Sequence, residues 1–144
     1  CRIYARRNGP CAYARRMRAQ GTFDVTITRH PEVDAADGVQ LGQASIQKQF
    51  HGDLSATSVG RMLSAMSAQP GSAGYVALER VTGSLGGKRG SFVLQHDGSM
   101  DRGTPSLQVR VVPDTGTGEL TGLRGSLRID IVEGKHLYDF DYTL

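Results

Sequence analysis

The fold this sequence predicts is all-β: eight antiparallel strands in up-and-down order, closed into one barrel. Three observations predict it. From Gly21 onward apolar and polar residues alternate with period two, the repeat of strands rather than helices. Gly, Pro and Asp residues interrupt that alternation at the spacing typical of sandwiches and barrels. Two neighbouring pairs of segments also fold back on each other in registers that satisfy both faces at once.

The elements follow in order. In "GTFDVTIT" Phe23, Val25 and Ile27 share one face and Asp24, Thr26 and Thr28 the other, giving the first strand. "PEVDAADG", 31–38, reads as a polar connection. Further strands are predicted at 41–51, 54–67, 73–84, 89–100, 105–112, 123–132 and 135–143. Within 54–67, "GRMLSAMS" also fits a helical spacing through Met62, Leu63 and Met66. Its Ser, Thr and Val surroundings assign it to a strand.

The last two strands test the register. With Glu133-Gly134 as a two-residue turn, Val132 faces Lys135, Ile131 faces His136, Ile129 faces Tyr138 and Leu127 faces Phe140. An apolar face results, while Arg128 meets Asp139 on the other; a slip of one residue scrambles both. In "GYVALERVTGSLGGKRGSFVLQHDG" a Gly86-Gly87 turn sets Val81 against Phe92, Glu79 against Leu94 and Ala77 against His96. Tyr75 joins that face, which is apolar apart from Glu79 and His96, and those two are diagonal neighbours. Closing eight strands into a barrel removes exposed edges. The interior of such a barrel is nearly filled by side chains or holds one small ligand.

At 144 residues the chain predicts one barrel domain, 17–144, large enough for a core without disulfides. No apolar run approaches the length of a membrane span and no secretory signal is visible, so a cytoplasmic protein with no membrane partner is expected. The formal charge of +3 is unevenly placed. Residues 1–16, "CRIYARRNGPCAYARR", hold five Arg and no acid, which leaves 12 basic and 14 acidic residues beyond them. That leader predicts a disordered segment, upstream sequence before a start at Met17, or a targeting peptide. No nucleic-acid surface is expected of the domain itself. Cys1 and Cys11 both lie in the leader, without a second Cys or a His at ligand spacing. The four histidines show no ligand pattern either, so no metal and no other cofactor are expected.

Three constellations carry chemistry. "VVPDTGTGEL" holds Asp-Thr-Gly, the triplet of aspartic peptidases, in which two carboxylates of a dimer share a proton. Asp114 departs from that pattern: Pro113 precedes it, and the 30 residues after it are consumed by two strands, leaving no flap. "PDTG" is also an effective turn, because Pro fixes φ and Gly accepts positive φ. The turn is the expected reading, and a peptidase dimer built on Asp114 is the alternative. The second constellation is Glu79 with His96, joined by Tyr75 or Tyr138 across the barrel and bordered by Phe92. In an apolar cavity this pair can orient a ligand or move a proton. A structural hydrogen-bonded pair, or a Glu79 turned to Arg80 or Arg89, is the plainer reading. In "FHGDL", third, His51 and Asp53 flank a Gly and predict a tight turn with Asp53 bonded to nearby backbone. His30 and His136 fall at strand ends and are expected to be solvated. "GSLGGKRG" lacks the following helix that a phosphate loop needs.

The segments "KQFHGDLSATSVGRMLSA", "GSAGYVALERVTGSLGGKRGSFVLQHDG", "VVPDTGTGELTGLRGSL" and "HLYDFDYTL" together resemble a bacterial family, domain of unknown function 3224. The resemblance spans about Gly21 to Leu144 and implies a small barrel like that of allene oxide cyclase. By that likeness of fold it implies a cavity for an apolar or amphipathic small molecule, with isomerase or cyclase chemistry as the nearest enzymatic class; fold alone does not transfer chemistry. The leading expectation is therefore a small-molecule-binding barrel with Tyr75, Glu79, Phe92, His96 and Tyr138 at the ligand. The alternatives are the Asp114 peptidase and a protein-association module; a homo-oligomer is compatible with each.

Overall fold

A computed structural model describes residues 14–31 and 34–144. Nine strands form one antiparallel sheet: β1 (Arg16–Arg29), β2 (Asp34–Ala36), β3 (Val39–Gly52), β4 (Leu54–Met66), β5 (Ala73–Leu85), β6 (Lys88–Asp101), β7 (Thr104–Val111), β8 (Arg124–Val132) and β9 (Lys135–Thr143). The order runs β1-β9-β8-β7-β6-β5-β4-β3-β2, and β1 also pairs with β3. That extra pairing, with Phe23 opposite Phe50, closes an eight-stranded barrel and leaves β2 as a short flap paired only to β3.

Four of the connections are two-residue turns with positive φ at both positions: Asp37-Gly38, Gly86-Gly87, Arg102-Gly103 and Glu133-Gly134. This backbone twists with the strands it joins, so such turns fix the register of their hairpins. The predicted pairings at both tested hairpins are those observed, Ala77 with His96 and Ile129 with Tyr138 among them. "GRMLSAMS" is part of strand β4. The two largest differences from the sequence reading lie at β1 and β2. β1 opens at Arg16, because Met17 and Ala19 already turn inward while Arg16 and Arg18 pair with Asp141 and Asp139 across the sheet. β2 arises inside the predicted connection because Asp37-Gly38 forms a hairpin turn there. The rest of the leader, 1–13 with both cysteines, lies outside the described residues.

The two ends of the barrel differ. At the end where β1 begins and β9 finishes, Phe50, Leu54, Leu85, Phe92, Phe140 and Tyr142 pack as one cluster. The connection 112–123 seals that end. Thr115 Oγ1 accepts from the Val93 N–H at 3.0 Å and Thr117 Oγ1 from the Ser91 N–H at 3.0 Å, which pins the loop along β6. Leu120 and Leu123 then drop into the core. Because this connection is long, no tight turn docks β7 on β8. The two strands share one ladder pair only, Arg110 with Ser126.

Candidate functional site

Inward-facing residues on four adjacent strands, β3 to β6, build a buried polar cluster midway along the barrel. On β3 the run Ala44, Ile46, Lys48, Phe50 faces inward, and on β4 so do Leu54, Ala56 and Ser58. Lys48 Nζ donates to Glu79 Oε1 at 2.9 Å, His96 Nε2 donates to the same oxygen at 2.7 Å, and Ser58 Oγ donates to Glu79 Oε2 at 2.7 Å. The Lys48 side chain is 7% exposed and that of Glu79 fully buried. Lys48 spends its remaining directions on aromatic faces, 4.8 Å from the Phe23 centroid and 5.8 Å from that of Phe50. A cation held over a ring face is stabilised by the ring quadrupole.

Glycines make this geometry possible. A Cβ on Gly60 would lie 2.7 Å from the Glu79 Cβ and 2.4 Å from the Leu78 carbonyl oxygen. Only a bare backbone at 60 therefore lets the Glu79 side chain lean over β4 toward β3. At the rim side of the cluster, Tyr75 lies on Gly98, where a Cβ would meet the ring at 2.3 Å. The Tyr75 ring then sits 6.4 Å from the His96 ring and covers it.

The electrostatics follow from these contacts. Burial alone pushes the Glu79 carboxyl up, but the His96 hydrogen bond and the Lys48 ammonium outweigh it and hold the group at about 2. Glu79 is thus an ionised acceptor, so His96 Nε2 carries a hydrogen. His96 Nδ1 makes no hydrogen bond among the described residues and is the ring atom left for a ligand or water. Tyr75 is raised by burial first and by the Glu79 charge second.

The expected site residues divide into two groups. Tyr75, Glu79 and His96 come together, and the sequence reading missed Lys48 and Ser58, which complete the cluster. Phe92 and Tyr138 belong to the packed core. The Tyr138 hydroxyl donates to the His51 carbonyl at 2.8 Å and accepts from the Leu54 N–H at 2.9 Å, bracing the β3–β4 turn. Asp53 Oδ2 accepts from the Gln20 N–H at 2.8 Å, while His51 turns away to Asp24 at 3.0 Å. His30 Nε2 instead lies 2.9 Å from Ser45 Oγ and 3.2 Å from an Arg61 nitrogen, and His136 stacks 5.0 Å from Phe23. Asp114 is exposed, with φ of 61°, third in the turn closed by the Thr115 N–H on the Val112 carbonyl. Pro second and positive φ third is the backbone of a type II turn.

No functionally curated protein matches this chain. The chain is similar to a crystal structure of a protein of unknown function from the DUF3224 family of Shewanella oneidensis MR-1, with 47% identity and a TM-score of 0.87 over 90% of this chain and 98% of that one. The family model described as "Protein of unknown function (DUF3224)" matches residues 19–142, the whole barrel including the Lys48–Glu79–His96 cluster, and the chain belongs to that family.

Proposed function

We propose that this protein is a small-molecule-binding barrel. The ligand it fits is apolar along most of its length and presents one polar group to His96. The observation that carries the reading is the sparse pairing of β7 with β8. Arg110–Ser126 is their single ladder pair, and the inward-facing Leu107 and Ile131 are left 41% and 67% exposed. Inward apolar residues of a filled barrel are buried, so these exposed ones support a ligand's way in toward the charged floor. The floor supplies an acceptor, Nδ1, on an imidazole whose other nitrogen is oriented by a carboxylate. For a ligand bearing an acidic O–H or C–H, Nδ1 is the base that receives the proton, and Glu79 stabilises the imidazolium so formed. Retaining three ionisable groups in a barrel interior also favours a role beyond packing, because apolar residues of equal volume commonly stabilise as much or more.

The test is to denature the purified protein and identify released small molecules by mass spectrometry. Wild type is compared with Ile129→Trp, which adds bulk inside the barrel at the partly buried position on the same face as Ile131. Wild type is expected to release an amphipathic molecule, and the folded variant to release far less. Equal release from both, or no released molecule together with no saturable uptake of an apolar dye, sinks the reading.

A further inference from the structure

The outer face of β3–β6 breaks the polar pattern of the rest of the barrel. Antiparallel sheets exposed on one side alternate apolar-in and polar-out, and outward positions on β1 do so, with Arg18, Gln20, Thr22 and Asp24. On β4 and β5 the outward positions include Leu63, paired to Val76, and Leu78, paired to Arg61. Leu63, Val76 and Leu78 are 55%, 52% and 54% exposed. Val59, diagonal to Leu78, and Leu41, one row beyond Leu63, extend the patch and are also exposed. A groove of about 1100 Å³ runs along it from Leu41 to Ser99. Single exposed apolar residues are ordinary, but a contiguous block on neighbouring strands marks a contact surface.

We propose that this face joins two copies of the chain across a two-fold axis. The patch has the anatomy of an interface, with an apolar centre and a polar rim, and its rim is self-complementary. Arg61 stands on the β4 side, bonded only to Ser45 and His30 and to no carboxylate among the described residues. Asp97 stands on the β6 side, opposite Val76, with no ion pair among the described residues. The centre of the patch on β5, between Val76 and Leu78, lies between the two charges. A two-fold axis through that point packs each Val76–Leu78 pair against its own copy and sets Arg61 of each chain against Asp97 of the other. Two-fold contacts of this kind use the same patch twice and need the patch to carry both charges. A foreign partner or a lipid surface needs no such pairing, and the face lacks the basic excess that draws a protein to anionic lipid.

Sedimentation equilibrium of the full chain tests this. The expected species is a dimer of the 15.5 kDa chain, which Val76→Arg converts to a folded monomer. Arg61→Asp and Asp97→Arg should each weaken association at least tenfold, and the double exchange should restore most of it. A monomeric wild type overturns the proposal. If that monomer floats with phosphatidylcholine vesicles through Val76, the face contacts lipid instead. A higher oligomer, a dimer indifferent to Val76→Arg, or single exchanges with no effect also overturns it.

Discussion

Replacing Glu79 with Gln removes the charge on which Lys48 and His96 converge and leaves the shape. The loss can be worked in two ways. Gln resembles the protonated acid, and the carboxyl sits at about 2 in the fold against 4.5 for the free group; at 1.36 kcal/mol per unit the ionised form is favoured by roughly 3 kcal/mol. Breaking one partner from a buried ion pair generally costs about 3–5 kcal/mol, because the other charge stays buried alone. The two estimates agree. The sign with pH also follows. A carboxyl depressed in the fold contributes in full above its unfolded value and loses that contribution as pH falls toward the folded one. Urea unfolding should show wild type ahead of Glu79→Gln by roughly 3 kcal/mol at pH 7, about half of that near pH 3, and almost nothing near pH 2. A gap below about 1 kcal/mol at pH 7, or one that stays flat across this range, refutes the argument that Lys48 and His96 hold Glu79 ionised.

Two further outcomes are expected. Adding Lys48→Met to Glu79→Gln removes the stranded ammonium, so urea unfolding should recover most of the lost stability, about 2 kcal/mol; the measured release of ligand should not recover if the floor is functional. Glu133, first in the β8–β9 turn with φ of 51°, holds a backbone that Asn adopts more readily. Glu133→Asn should therefore raise stability by about 0.5–1 kcal/mol in thermal or urea unfolding, with oligomeric state unchanged.

Much of this was legible in the sequence, for a local reason. Wherever two residues join two strands, turn and alternation fix the register together, so Glu79 and His96 could be placed as diagonal neighbours from "GSLGGKRG" and the strands around it. Asp37-Gly38 carried the same signal for β2, but only three residues follow it back along the sheet. The sparse pairing of β7 with β8 was hidden because "VPDTGTGELTGL" is no tight turn: its path depends on Thr115 and Thr117 finding the backbone of β6. No local pattern encodes that contact.

Lys48 shows where alternation informs and where it stops. Standing between Ile46 and Phe50, it had to face inward, and that much the sequence declared. Its partner could not be read, because β4 and β5 are joined through Ser67–Ser72, too long to set a register by turn type. Glu79 lies two strands away, about 10 Å at the spacing of a sheet. A Lys and a Glu together span that distance only over a strand that offers no obstruction. Gly60 clears the space beside Glu79 and Ser58 meets its second oxygen, so the cluster depends on four side chains and one missing side chain. Shortening Lys48 to Gln would take the ammonium from Glu79 and leave it His96 and Ser58, whereas adding a methyl at position 60 would push Glu79 away from all three partners.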